Sequence, residues 1–179
     1  MALVETLLSR DNIGLAWKFH VSPNSCDNPE YYDNYIRLSA TSDYIKGMGV
    51  THLLVDEIAS GEQILAGYVT LRSTSLISDG ADGKKIVQPA LEIAELAVHK
   101  DYERRGIGTD LISIAISEAD SLRREYIGIR HILVCADPRA IGFYEKFGFV
   151  RIASMYEVLH DGWNNDCEPL FITLPEIDM

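Results

Sequence analysis

The chain has 179 residues, enough to bury a hydrophobic core without disulfide or metal staples, and its 47% hydrophobic and 24% charged residues are those of a folded domain. Sixteen basic against 27 acidic side chains leave a formal charge of −11, a surface that repels phosphate backbones and argues against nucleic acid and anionic membranes as partners. No apolar run approaches the roughly 18 residues of a bilayer-spanning helix.

The start, Met1-Ala2-Leu3-Val4-Glu5, has no basic region, and Glu5 interrupts its apolar stretch, so no secretory signal is expected. Residues 2–20 read as one or two short strands. Asn28 and Pro29 resemble a helix start, and Tyr32, Tyr35, Ile36, Ala40, Tyr44 and Ile45 follow at mostly three- or four-residue steps up to about Gly47. Val50–Val55 and Gln63–Leu71 read as strands joined near Ser60-Gly61, and 78–84, rich in Asp and Gly, as a surface loop. Its spacing is not that of a calcium loop.

The second half alternates strand and helix. Ala90–Val98 is predicted to be a strand. Gly108–Glu125 is predicted to be a helix with Leu111, Ile112, Ala115, Ala119 and Leu122 on one face, and Arg123 and Arg124 suit the negative pole of its dipole. A strand at Ile129–Ala136, a helix at Pro138–Phe147 stopped by Gly148, and strands at Phe149–Leu159 and Leu170–Leu174 complete a mixed α/β sheet with at least one βαβ unit.

The three cysteines, Cys26, Cys135 and Cys167, fit neither zinc spacing nor a disulfide framework, so a reducing, cytoplasmic setting is expected, with Cys135 a small buried hydrophobe. The five histidines, His20, His52, His99, His131 and His160, show no ligand spacing, so no metal is expected. Trp17, Trp163, Tyr31, Tyr32 and Tyr35 are read as aromatic core, with the lining of an acceptor pocket as the alternative.

Two segments carry chemistry. In Leu96-Ala97-Val98-His99-Lys100-Asp101-Tyr102-Glu103-Arg104-Arg105-Gly106-Ile107-Gly108-Thr109, a strand ends and two glycines open a helix. Unpaired N–H groups at such a helix start favour an anion, and Arg104 and Arg105 add positive charge, although a tight turn with two solvated arginines reads equally well. It is neither a P-loop nor a dinucleotide fingerprint, since no Gly-Lys-Ser/Thr follows and the third glycine is missing. The second segment, Asp137-Pro138-Arg139-Ala140-Ile141-Gly142-Phe143-Tyr144-Glu145-Lys146-Phe147-Gly148-Phe149, places a tyrosine on a short helix; alone, that tyrosine is better read as a packing aromatic than as a catalyst.

Together the two segments resemble the GNAT superfamily of acyl-CoA-dependent N-acetyltransferases, most specifically over 92–149. The first resembles the family's pyrophosphate motif, Gln/Arg-x-x-Gly-x-Gly/Ala, with Glu103 where Gln or Arg is usual. The second resembles Asn-x-x-Ala…Phe-Tyr-x-x-x-Gly-Phe, with Asp137 in place of Asn. The resemblance implies one acetyltransferase domain over 1–179 with a cofactor-binding core at about 62–151. It also implies a mostly antiparallel central sheet flanked by helices, whose splayed central strands form a cofactor cleft. Leu96, Ala97 and Val98 would pair with the pantetheine arm of acetyl-CoA, and main-chain groups of Arg104, Arg105, Gly106, Ile107, Gly108 and Thr109 would hold its pyrophosphate, with Asp137 and Tyr144 beside the thiol end.

The implied reaction moves an acetyl group to a primary amine of a small molecule or peptide by direct attack. The amine, with a pKa of roughly 10, must lose a proton, and Tyr144 would protonate the departing thiolate. Glu92-Ile93-Ala94-Glu95-Leu96-Ala97-Val98 is similar to the histone-acetylating branch, whose base falls at Glu92. Glu95 is the second candidate; strand parity sets the two on opposite faces. The run Pro169–Pro175 with Gly67-Tyr68 also looks like GNAT toxins that acetylate aminoacyl-tRNA, which the charge of −11 opposes. A non-catalytic acyl-CoA-binding module is a third reading. The acceptor is left unnamed, its pocket being assigned to the amino-terminal helices and the loop around 159–166, and a homodimer is left open.

Overall fold

A computed structural model describes residues 3–58, 61–152, 156–158 and 167–177. His160, Trp163 and the loop 159–166 lie outside the described residues. Among the described residues, eight strands form a sheet of order β1-β2-β3-β4-β5-β8-β6, with β7 on β3. They are β1 (Leu3–Leu7), β2 (Val50–Glu57), β3 (Gln63–Asp79), β4 (Lys85–Val98), β5 (His131–Ala136), β6 (Val150–Arg151), β7 (Tyr156–Val158) and β8 (Glu168–Thr173). The helices are α1 (Pro29–Asn34), α2 (Ala40–Ile45), α3 (Ile107–Glu125) and α4 (Ile141–Glu145). The architecture is the mixed α/β, mostly antiparallel one expected. Pairs β1–β2, β2–β3, β3–β7, β5–β8 and β6–β8 are antiparallel, and β4 runs parallel to β5.

The chain divides into two compact units, Met1–Arg72 with Ala94–Ala115, and Ser73–Ile93 with Ile116–Met179; β3, β4 and α3 each supply residues to both. In the first unit, Phe19, Tyr35, Ile36, Leu53, Val55, Leu65, Tyr68 and Ala97 build one buried cluster. Burying each large side chain contributes roughly 1.5–3 kcal/mol, so this cluster dominates the unit's stability. The start of α3 joins the buried set through Ile107, Leu111 and Ile112.

The helical run 29–45 begins as its sequence dictates. Asn28 caps Tyr31 N–H with its side chain and Pro29 takes the first turn. Between α1 and α2 the run widens into a π segment, Tyr35–Ser39. One extra residue per turn rotates the apolar face, which is why Ile36 and Ala40 are buried while Tyr44 and Ile45, on the expected stripe, are 56% and 68% exposed. The strand reading of 2–20 holds for β1 only; Ile13–Lys18 is a 3₁₀ turn.

In the second unit, Leu76, Ala90 and Leu133 pack together, with Ile152 and Phe171 against them. β3 and β4 are longer than expected: polar Arg72–Ser75 and the mixed run Lys85–Gln88 remain in the strands, closed by a turn in which Gly80 N–H donates to Lys84 C=O. α4 is shorter than expected: Pro138 lies in a turn, with Asp137 accepting from Arg139 N–H before the helix begins.

The cysteine reading is corrected here. Cys135 is half-buried, not a core hydrophobe, and is joined to Cys167 by a disulfide across Cα atoms 5.4 Å apart. The antiparallel register of β5 on β8, Cys135↔Pro169 and Ala136↔Glu168, brings Cys167 there, a juxtaposition invisible to cysteine spacing alone. Cys26 is buried and takes no part in the disulfide.

Candidate active site

The loop 99–106 is anchored in the first unit. His99 N–H donates to Ala66 C=O and its ring Nδ1 accepts from Asp101 N–H, starting a 3₁₀ turn at Lys100–Tyr102. Tyr102 is buried, donates to the carboxylate of buried Asp56 at 2.9 Å, and carries the Arg105 guanidinium 5.2 Å from its ring centre. Ser25 donates to Glu103. Burial first, and then the bond to Asp56, raise the Tyr102 pKa, so this hydroxyl stays protonated and keeps donating.

Two residues of this loop have positive φ: Arg104 at 59° and Gly106 at 90°. Left-handed residues turn successive N–H groups to one side, the geometry of anion-binding nests. A Cβ at Gly106 would meet nothing within 4 Å, and Arg104, Arg105, Gly106 and Thr109 are exposed. Buried Ile107 pins the first turn of the 19-residue α3, whose dipole adds to the local positive potential.

That anchoring depends on a glycine outside the motif. A Cβ on Gly67 would stand 2.8 Å from Ile107 Cγ2, 3.0 Å from Ala97 C=O and 3.0 Å from Leu111 Cδ1. Only glycine lets β3 approach the start of α3 and the end of β4 this closely.

Beside the loop, Leu96, Ala97 and Val98 close β4. The parallel register of β4 on β5 runs from Ala90↔His131 to Ile93↔Val134, and β4 continues to Val98. Glu95 lies on this terminal stretch, half-buried, and its Oε1 accepts from the Tyr31 hydroxyl at 2.5 Å. Around it stand Tyr32, edge-to-face with Tyr31 at 5.3 Å, and the stacked pair Tyr35–Tyr68 at 6.3 Å. Tyr68 donates to Tyr32 C=O, and Tyr35 to Asp43. Burial, followed by the Glu95 charge, raises the pKa values of Tyr31 and Tyr68. Burial also raises that of Tyr35, with Asp43 and Glu95 adding to it against a Thr70 bond that lowers it. All three hydroxyls therefore stay protonated at neutral pH.

The core reading of these aromatics is thus only partly right. Tyr35 is buried, but Tyr31 is 49% exposed and Trp17 62% exposed. Sequence reasoning missed Tyr31 as a partner of Glu95. The close spacing of Tyr31, Tyr32 and Tyr35 was the available signal, and the pairing across 64 positions was not.

The other expected residues lie in the second unit. Glu92, opposite Leu133 in the parallel ladder, is 2% exposed. Asp137 holds the turn after β5. Tyr144 is buried, edge-to-face with Phe143 at 5.1 Å and Phe149 at 5.6 Å. Thus Glu95, Leu96–Val98 and Arg104–Thr109 belong to one unit, and Glu92, Asp137 and Tyr144 to the other.

Comparison with known proteins follows the same lines. No curated protein matches the chain. Solved structures similar to it include a bacterial toxin, with 22% identity, a TM-score of 0.73, and 96% of this chain and 90% of that one covered. AtaT complexed with acetyl-methionyl-tRNAfMet has 17% identity, a TM-score of 0.72, and coverage of 96% and 95%. AtaTR bound with acetyl-CoA has 18% identity, a TM-score of 0.67, and coverage of 96% and 92%. At these identities the likeness shows the fold. The family model of the acetyltransferase (GNAT) domain matches residues 49–151, more than half of the sequence, and spans the Gly67 contact, the end of β4, the Arg104–Thr109 loop and Tyr144. The chain therefore belongs to the GNAT acetyltransferases and is an acyltransferase.

Proposed function

We propose that this protein transfers the acetyl group of acetyl-CoA to a primary amine of a small molecule or peptide, with Glu95 as base and Tyr144 as acid. The observation that carries the reading is the Tyr31–Glu95 pair: a half-buried carboxylate, oriented by a hydroxyl, next to the stretch of β4, Leu96–Val98, to which the family resemblance assigns the pantetheine arm. Glu92, where the resemblance would set the base, is 2% exposed, so an amine reaches Glu95 more readily. The exposed, positively curved loop 104–109 supports pyrophosphate binding through main-chain N–H groups, with Arg105 held on Tyr102 adding charge. The family match runs through both units, which supports reading the chain as one acetyltransferase domain.

In this scheme Glu95 takes a proton from the ammonium, directly or through water, and the neutral nitrogen attacks the thioester carbon. The C–S bond of the tetrahedral intermediate then breaks, and the thiolate takes a proton from Tyr144. The nitrogen loses its second proton, which restores Tyr144, and Glu95 returns its own to solvent. General acid catalysis of this kind contributes about 10²–10⁴-fold, the loss expected for Tyr144→Phe.

A second acceptor has a specific observation behind it: the fold is shared across almost the whole chain with AtaT solved with acetyl-methionyl-tRNAfMet. An aminoacyl ester also presents a primary amine. The charge of −11 counts against a polyanion, so the small amine or peptide leads. The test is a panel of diamines, amino acids, basic peptides and charged tRNA, with acetyl-CoA and thiol release as readout. Turnover on amines or peptides is expected. Turnover on charged tRNA alone would replace this reading with the second, and acetyl-CoA binding with no turnover on any acceptor would make the protein a non-catalytic acyl-CoA-binding module.

A further inference from the structure

The first unit carries a polar and aromatic cluster that cofactor binding does not use. Tyr31 and Tyr32 come from α1, Tyr35 from the π segment, Tyr68 from β3 and Glu95 from β4. Tyr35 and Tyr68 are buried and stack as a floor, with Tyr35 tied to Asp43 and Tyr68 to Tyr32 C=O. Above them, Tyr31 is half-exposed and Tyr32 partly so, with their rings crossed at 86°. The Tyr31 hydroxyl fixes one oxygen of Glu95.

A small cation meets two complementary features here. A carboxylate accepts several donors and supplies a full negative charge. Phenol rings present their negative faces to a cation, an attraction that strengthens once water is excluded. Tyr31, Tyr35 and Tyr68 feel the Glu95 charge, Tyr32 packs on Tyr31, and Asp43 stands behind Tyr35. None of these named groups is cationic, and Asp43 adds to the negative field. A phosphate or carboxylate in the acceptor would meet like charge.

We infer that Tyr31, Tyr32 and Glu95 form an ammonium-recognition subsite, in which Tyr31 is a positioning residue that orients the Glu95 carboxylate and the two rings wall the cation. The inference rests on the reading of Glu95 as base and narrows the acceptor class to alkylammonium groups without a neighbouring anion. The Tyr31 bond favours the ionised carboxylate, so losing it raises the pH at which Glu95 becomes competent.

The probe is choline, a cation with no amine to acetylate, against 3,3-dimethylbutan-1-ol, its neutral isostere, titrated by calorimetry without acetyl-CoA. Choline is expected to bind at least tenfold more tightly. Glu95→Gln should weaken choline about tenfold or more, through loss of the negative charge that faces the cation, and Tyr31→Leu should weaken it several-fold. Tyr31→Phe, which keeps the ring, should retain most choline binding while moving the acid limb of the kcat/KM profile to higher pH. Equal binding of choline and its isostere would overturn the inference. So would a Tyr31→Phe variant with an unmoved pH profile. If no amine is acetylated but choline still discriminates, the proposed reaction fails and the subsite stands. If amines are acetylated and choline does not discriminate, the subsite fails alone.

Discussion

β4 carries two glutamates three residues apart, at the enclosed and open ends of the run 92–95, with opposite fates. Glu92 lies inside the parallel ladder against Leu133 and is almost fully enclosed, whereas Glu95 lies beyond the last register pair, Ile93↔Val134, and meets a hydroxyl at a half-open position. Both occur in one apolar run, and sequence similarity to a glutamate-base branch points to the enclosed one. The difference teaches that a motif names the strand that bears a function, while strand parity and the extent of pairing decide which of its carboxylates a substrate can approach.

The comparison breaks most decisively at the two glutamates. Glu95→Gln is expected to lower kcat about 10²–10⁴-fold with acetyl-CoA affinity unchanged. Glu92→Gln, by contrast, should lower thermal stability and cost kcat less than tenfold. Steady-state kinetics beside a melting curve separate the two, and the reverse ranking would return the base to Glu92.

The disulfide sharpens the contrast from the enclosed end. It closes a loop of sequence separation 32, for which chain entropy predicts about 3–4 kcal/mol. Cys135→Ser should therefore lower the unfolding free energy measured in urea by that amount while leaving choline binding by the first unit intact. A wild-type protein with three titratable thiols in denaturant without reductant would show that the bond does not form.

Gly67 tests the open end. A methyl there meets Ile107, Leu111 and the Ala97 carbonyl at 2.8–3.0 Å, so Gly67→Ala should cost about 1–3 kcal/mol by overpacking. Because it displaces the residue that starts α3, it should also weaken acetyl-CoA binding in calorimetry. Unchanged affinity with lowered stability would confine Gly67 to packing.

The smallest expected effect is a pH dependence at the enclosed end. His131 bonds Thr173 through Nδ1 and Gln88 through Nε2, and burial, aided by Arg130, holds its pKa below the usual value of 6.5. A basic group with a depressed folded pKa contributes stability that is full above the unfolded value and is lost as pH falls from about 6.5 through the folded one. The melting temperature should therefore decline on acidification across that window, and His131→Gln should flatten the decline.

Much of this architecture is written in local pattern. The glycines after Arg105, the apolar face of α3 and the Pro29 start with its Asn28 cap are sequence-local signals, since helix starts, glycine turns and 3.6-residue periodicity depend on neighbours in the chain. The residues of the 104–109 loop were legible for the same reason. The rotated face of the 29–45 run was not, because a π segment is imposed by what the helix packs against and leaves no regular mark in composition.

What only the tertiary structure decided are the encounters between distant positions: Tyr31 with Glu95, Cys135 with Cys167, Gly67 with Ile107. Each depends on strand register or on close backbone approach, and a shift of one residue in register would send the side chain to the other face. Residue types at fixed short spacing were enough for the family and for the glycine turn that opens α3. The Tyr31–Glu95 pairing, the covalent link and the glycine that seats the turn emerged only once the sheet had aligned segments that spacing cannot relate.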